Sequence, residues 1–207
     1  MMDTRKGVVG VFASLLLVGG CAMEVTGDDE ADLVDLEKKV TVPVFSLATF
    51  QPVAGAKAEL DRRSNGHDAK EDSRELPGGH IVTMFFVVFN DPENCTHPVP
   101  PLATCSTPDL GNPATNPSAL WVDGGVAGND GTETFANFVG LGVAGAPGEV
   151  VFGGGLVDLQ GSEVHFLTRD KGLPIPGREE EQRTTFAGGC DAASCQDLQF
   201  AIFKRAN

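Results

Sequence analysis

The stretch from His80 to Phe89 constrains the fold more than any other part of the sequence. It is rich in β-branched and aromatic residues and shows little apolar–polar alternation. Pro77-Gly78-Gly79 precedes it and Asn90-Asp91-Pro92 follows it, so turn residues bound it on both sides. A short apolar run of this kind predicts a strand covered on both faces. We therefore expect it to occupy the centre of a sheet.

The rest of the chain is typical of an all-β protein. Its 26 Gly, 13 Pro and 13 Phe favour short strands joined by turns over long helices. We predict a single sandwich or barrel-like domain of roughly seven to nine strands. Asn129-Asp130-Gly131 predicts a hairpin between two of them. The other segments with strand character are 40–50, 120–123, 132–139, 150–152, 162–169, 198–203 and a strand that starts at 184–186.

Three segments are assigned to other structures. Residues 54–63 are compatible with one short helix, and residues 178–183 form a charged, solvated run. Residues 64–79 are polar with alternating charges, which predicts a solvated loop with His67 at the surface.

The amino-terminal residues carry a second strong signal. Arg5 and Lys6 precede an uncharged, mostly apolar stretch over 7–20, which is too short to span a membrane and is typical of a secretory signal. Val18-Gly19-Gly20-Cys21 resembles the bacterial lipobox. That resemblance implies a bacterial lipoprotein with diacylglycerol on the Cys21 sulfur, cleavage after Gly20 and N-acylation. Ala22 then favours sorting to the outer membrane; the alternative is an ordinary secreted protein with an incidental cysteine.

Three regions follow from this interpretation: a signal peptide over 1–20, an acidic tether over 21–39 and a β-rich extracytoplasmic domain over 40–207. The tether has too few apolar residues to pack and is expected to be flexible. The whole chain has a formal net charge of -14 and no basic stripe, so nucleic acid is excluded as a partner. The expected partners are the membrane, through the lipid on Cys21, and an unknown protein or small-molecule ligand.

The cysteines support export. Setting Cys21 aside leaves four, which an oxidising envelope would pair in one of three connectivities. We favour the local pairs Cys95–Cys105 and Cys190–Cys195, because each closes a loop rich in turn residues. The first would cross-link the long loop that follows Phe89. A zinc site is the alternative, but no histidine pair lies beside these cysteines.

One pair of residues has chemical potential. Period-two geometry places Glu163 and His165 on the same face of a strand, where they could bind a metal or transfer a proton, with His80 or His97 contributing. The competing interpretation, which we favour, is an exposed pair on a half-buried sheet. Asp123, Asp130 and Glu133 offer oxygen ligands for calcium, but their spacing is not that of a calcium loop. Calcium and zinc are thus alternatives to the prediction of no cofactor.

Several short strings together resemble an uncharacterised family of secreted bacterial β-rich proteins. The resemblance covers most of residues 80–203 and implies a folded domain without an established activity. With no catalytic motif present, we predict a non-catalytic binding or structural module. The alternative is a metal-dependent or hydrolytic envelope enzyme that uses His165 and Glu163. The strings are Asn90–Cys95, a Gly-x-Asp-Gly turn, Gly161–His165, Pro174–Gly177, Gly188–Cys190 and Gln199–Ala201.

Overall fold

The strands predicted from the apolar pattern belong to one curled sheet. A computed structural model describes residues 38–142, 150–190 and 195–206. Cys21, the signal peptide and nearly all of the predicted tether lie outside the described residues. The described elements in chain order are β1 Lys38–Ser46, β2 Pro52–Arg63, β3 Gly66–Ser73, β4 Ile81–Phe89, β5 Pro117–Val126, β6 Glu133–Gly140, β7 Val150–Phe152, β8 Glu163–Asp170, α1 Glu179–Thr184 and β9 Gln196–Phe203.

All strand pairs are antiparallel, and the sheet has the order β6-β3-β2-β1-β9-β8-β4-β5-β7, curled into a half-barrel. The prediction of an all-β, barrel-like domain is confirmed. β4 lies between β8 and β5, and every residue of it except Val87 is buried. The expected central strand is therefore present, and it is covered on both faces.

Three aromatic side chains pack together in the hydrophobic core. Phe86 stacks on Phe166 with ring centroids 4.8 Å apart, and Phe166 lies 4.7 Å from Phe203. The opposite face of β4 is also covered, because the ring of Phe186 packs edge-on against Phe85 at 5.1 Å. Stacked and tilted pairs at these distances add specific packing to the burial of apolar area.

The predicted helix over 54–63 and the predicted loop over 64–79 are both wrong. The first is strand β2, and most of the second is strand β3, which pairs with β2 from Gly66 to Asp72. Ala58, Leu60 and Arg62 alternate inward along β2, and His67 and Ala69 do so along β3. The side chains that face inward are largely small or polar, so the alternation is hidden from a hydrophobicity pattern.

The predicted hairpin is wrong, because β5 and β6 are not neighbours in the sheet. The turn exists, since the Gly128 amide donates to the Thr132 carbonyl at 2.8 Å, but β6 pairs with β3 instead. β5 and β6 meet through side chains. Asn137 Nδ2 donates to the Val122 carbonyl at 2.7 Å, and Asp123 accepts from the amide of residue 136 at 2.9 Å. β6 pairs with β3 at eight successive positions. It would lose this pairing if it formed a hairpin with β5.

The strand predicted from residue 184 is also wrong, because α1 ends at Thr184 and Phe186 belongs to no strand. Phe186 instead places its ring against Phe85 and under the guanidinium of Arg169, 3.9 Å from the ring centroid. An aromatic side chain in this segment thus covers the sheet without joining it. Among the residues that the structure describes, no helix is both long enough and apolar enough to cross a membrane.

Both predicted disulfides, Cys95–Cys105 and Cys190–Cys195, are confirmed. The first lies within the connection from β4 to β5, which also contains three short 3-10 turns. One turn precedes Cys95, at Pro92–Asn94, and two follow Cys105, at Thr107–Gly111 and Pro113–Thr115. The long connection from β4 to β5 is therefore compact without contributing a strand.

The ladder between β1 and β9 is interrupted. These strands pair only at Phe45 with Phe200 and at Ser46 with Gln199. From Val42 back towards Lys38, β1 pairs with β2 alone, and from Ala201 onwards β9 pairs with β8 alone. Pro43, which has no backbone N–H to donate, lies in this open part of β1. The interruption opens the wall of the half-barrel.

Candidate functional site

Glu163 and His165 are neighbours on one face of β8, as predicted, but they are not an exposed pair. Glu163 is fully buried, and His165 Nε2 lies 2.8 Å from its Oε1. The carboxylate also accepts the backbone amides of Thr104, at 3.0 Å, and Cys105, at 2.9 Å. Burial alone would raise the pKa of Glu163, but these hydrogen bonds and the charge of His165 lower it overall. Glu163 thereby fastens the disulfide loop to the sheet.

The other two predicted histidines lie elsewhere. His80 Nδ1 is 3.0 and 3.1 Å from the carboxylate oxygens of Asp170, and His97 Nδ1 is 3.1 Å from Asp109. Asp170 pairs in register near the start of β4 and Glu163 near its end, which separates them by roughly 20 Å along β8. The structure thus brings Glu163 and His165 together and gives His80 and His97 separate carboxylate partners.

The acidic residues near the 129–131 turn serve the backbone. Asp130 Oδ1 accepts the Thr132 amide and hydroxyl, and Asp123 accepts the amides of Gly124 and Ala136. Over residues 38–142, 150–190 and 195–206, no group of three or more His, Cys, Asp or Glu side chains is placed to hold a metal ion.

A cleft with a volume of about 400 Å³ lies where β1 and β9 separate. Two of its lining residues, Val40 and Val42, are half-buried and pack against the core cluster. Of the described side chains that line it, three are basic and none is acidic. The lining consists of Val40, Val42, Arg62, Leu102, Ile202, Phe203, Lys204, Arg205 and Ala206.

Arg62 is the charged group at the inner end of this cleft. Its side chain reaches from β2 across the interrupted ladder, and Nη2 donates to the carbonyls of Ser162, at 3.2 Å, and Lys204, at 2.9 Å. Only 1% of the residue is exposed, and Nε is buried without a hydrogen-bond partner. Burial lowers the pKa of Arg62, while Asp158 acts on it only at longer range. In the described part of the chain, Arg62 forms no ion pair.

His67 lies opposite Arg62 on β3 and is fully buried. Its Nδ1 is 2.9 Å from the Gly66 carbonyl, which can only accept, so Nδ1 carries the proton. Nε2 is then an acceptor, and neither it nor the Ser162 hydroxyl has a hydrogen-bond partner among the described residues. This end of the half-barrel therefore buries several polar atoms whose hydrogen-bonding capacity is unused. The prediction of His67 at the surface is therefore wrong, and Arg62 was not singled out from the sequence. The only signal for either residue is its place in the inward alternation.

His67 predicts a pH dependence of stability. Burial lowers its pKa from 6.5 to about 4. Because the unfolded chain takes up a proton at higher pH than the folded one, stability is complete above pH 6.5 and falls as the pH drops towards 4. The expected loss is up to about 3 kcal/mol.

The buried carboxyl of Glu71 changes stability with pH in the opposite direction to His67, so its contribution must be separated from that of His67. Burial raises the pKa of Glu71, which means that its contribution to stability declines as the pH rises. Urea unfolding of the wild type and of His67→Gln at several pH values isolates His67, since both proteins keep Glu71. A stability difference that does not change between pH 7 and pH 4 would contradict the assignment of a neutral, buried His67.

Comparisons with models of protein families, with curated proteins and with solved structures found no match to this chain. The resemblance of residues 80–203 to secreted bacterial proteins stays a prediction.

Proposed function

We propose that the protein is a lipid-anchored lipoprotein of the bacterial envelope and that its β-rich domain is a non-catalytic binding module. The cleft between β1 and β9 is the ligand site. The observation that carries this proposal is the interruption of the β1–β9 ladder, beside which half-buried apolar side chains and the nearly buried Arg62 line one recess. Its volume of about 400 Å³ lies in the range of small-molecule sites.

The non-catalytic part of the proposal is supported by how the candidate side chains are used. The carboxylate of Glu163 is engaged by two backbone amides and by His165. A general base or metal ligand needs a lone pair that can reach a substrate or an ion. Glu163 has its oxygens directed at the disulfide loop, and this geometry favours a structural role over the enzyme alternative.

The cleft is tested by filling it. Val42 is half-buried at the cleft wall, so Val42→Trp is expected to occlude the site, whereas Val126→Trp adds the same side chain at a position that is 43% exposed. Thermal-shift measurements with a panel of charged and neutral amphiphiles should find compounds that raise the Tm of the wild type and the Val126 variant but not of Val42→Trp. Stabilisation that persists in Val42→Trp, or no stabilising compound at all, would refute the cleft as the ligand site.

The anchor is tested separately, at Cys21. Acyl chains on this sulfur and on the new amino terminus would hold the protein in the membrane, since two or more chains give stable anchoring. In a bacterial host, we expect palmitate labelling and a membrane fraction that resists high salt. Cys21→Ser should lose both, while Ala22→Ser should keep both. Labelling that survives in Cys21→Ser would overturn the lipoprotein assignment.

A further inference from the structure

We propose that the cleft between β1 and β9 binds a monoanionic amphiphile, with the anionic head, a carboxylate, directed at Arg62 and the apolar body against the walls of the cleft. This inference rests on the proposed function, because it names the class of ligand for the same site.

The charge of the lining points to an anion. The chain has 29 acidic and 15 basic residues, yet the described residues that line the cleft include Arg62, Lys204 and Arg205 and no Asp or Glu. Lys204 and Arg205 are exposed, while Arg62 is buried at the inner end. A positive recess on a strongly acidic protein attracts anions locally and repels cations.

Among the described residues Arg62 has no carboxylate partner, in contrast to its neighbour Arg63 and to Arg169 on β8. Arg63 pairs with Asp61 and Asp68 on the surface, and Arg169 Nε donates to Asp197 at 2.6 Å. Arg62 satisfies only Nη2, through two neutral carbonyls, and leaves Nε unpaired. A guanidinium stays protonated and offers five N–H donors, and a buried charge without a partner is costly. An anionic ligand would supply the missing counter-charge.

The rest of the cleft lining is apolar and suits a ligand with an apolar body. Val40 and Val42 line one side, and Ile202 and Phe203 line the other, with Leu102 contributed by the disulfide loop. A small inorganic anion would leave the accessible apolar surface of this lining in contact with water. An alkyl chain would cover that surface, which is favourable by about 25 cal/mol per Å² of apolar area removed from water. One buried guanidinium requires one negative charge, whereas the charges of Lys204 and Arg205 are exposed to solvent and need no buried partner. The lining therefore suits a single negative charge.

The competing role for Arg62 is purely structural. Its two bonds to Ser162 and Lys204 tie β2 to the ends of β8 and β9 across the interruption. A strut of this kind would affect stability but would not discriminate between charged and neutral ligands. The test must therefore compare ligands that differ only in the head group.

The experiment titrates decanoate and 1-decanol into the full chain carrying Cys21→Ser, so that no acyl group is attached to the protein itself. Calorimetry at neutral pH should show saturable binding of one decanoate, at least tenfold tighter than 1-decanol, and no binding of acetate. Arg62→Gln should abolish the preference, and Arg62→Lys should keep part of it. Arg63→Gln, which removes the adjacent exposed guanidinium, should leave the preference unchanged.

The outcomes separate this inference from the proposed function. Equal binding of decanoate and 1-decanol, blocked by Val42→Trp, would overturn the anion assignment and leave the cleft as a ligand site. A preference that survives in Arg62→Gln would overturn the role of Arg62, and absence of decanoate binding would overturn the ligand class. The comparison of the two ligands on the parent chain stands even where Arg62→Gln fails to fold.

Discussion

Replacing Glu163 with leucine is expected to lower the free energy of unfolding by about 3–5 kcal/mol, the range for removing one partner of a buried charged network. The substitution leaves the amides of Thr104 and Cys105 without their acceptor and His165 without its carboxylate. Each unsatisfied buried donor carries a desolvation cost of its own. The disulfide loop would then lose the hydrogen bonds that connect its backbone to Glu163 on β8.

Urea unfolding followed by circular dichroism measures this loss. Glu163→Gln retains a carbonyl acceptor and should cost less than the leucine variant. Glu93→Gln is the matched control, because Glu93 is exposed in the same loop. A loss below about 1 kcal/mol for Glu163→Leu, the size of an exposed ion pair, would show that the carboxylate does not anchor the loop.

Phe86→Ala should destabilise the domain by a similar amount, about 3–5 kcal/mol. Phe86 is fully buried on the central strand, and its ring stacks on Phe166. Truncation removes the stacking and leaves a cavity that strands fixed on both sides of β4 cannot close. The cost therefore includes a cavity contribution in addition to the lost burial of apolar area.

The same unfolding experiment provides the comparison. Phe152→Ala alters a phenylalanine in β7 that is 41% exposed, and its expected loss is about 1 kcal/mol or less. Equal losses for Phe86→Ala and Phe152→Ala would mean that the aromatic stack does not form the centre of the core.

The parts of the fold that the sequence predicts are those in which apolar residues face the core. β4, β8 and β9 carry large aliphatic and aromatic side chains at the expected spacing, and they lie in or close to the predicted places. β2 and β3 were misassigned because their inward positions hold residues such as Ala58, Arg62, His67 and Glu71. A polar side chain can face inward where the half-barrel supplies carbonyls or hydroxyls to it, and no local pattern records that.

The candidate sites show the same division. The proximity of Glu163 and His165 follows from the period of a strand. Their burial does not, because it depends on a loop that is 58 residues earlier in the chain at Cys105. The cleft involves the first and last strands of the domain and arises where hydrogen bonds between them stop. Pro43 was the one local hint, since proline in a strand favours an unpaired edge.

The account is tested most directly by locating the ligand. Two-dimensional amide NMR of the Cys21→Ser chain, titrated with decanoate, should show the largest shifts at Val42, Leu102 and Phe203, which line the cleft. The amide resonances of the residues next to His80 and His165 should not shift. Shifts that cluster around these histidines and leave the cleft unchanged would contradict the account.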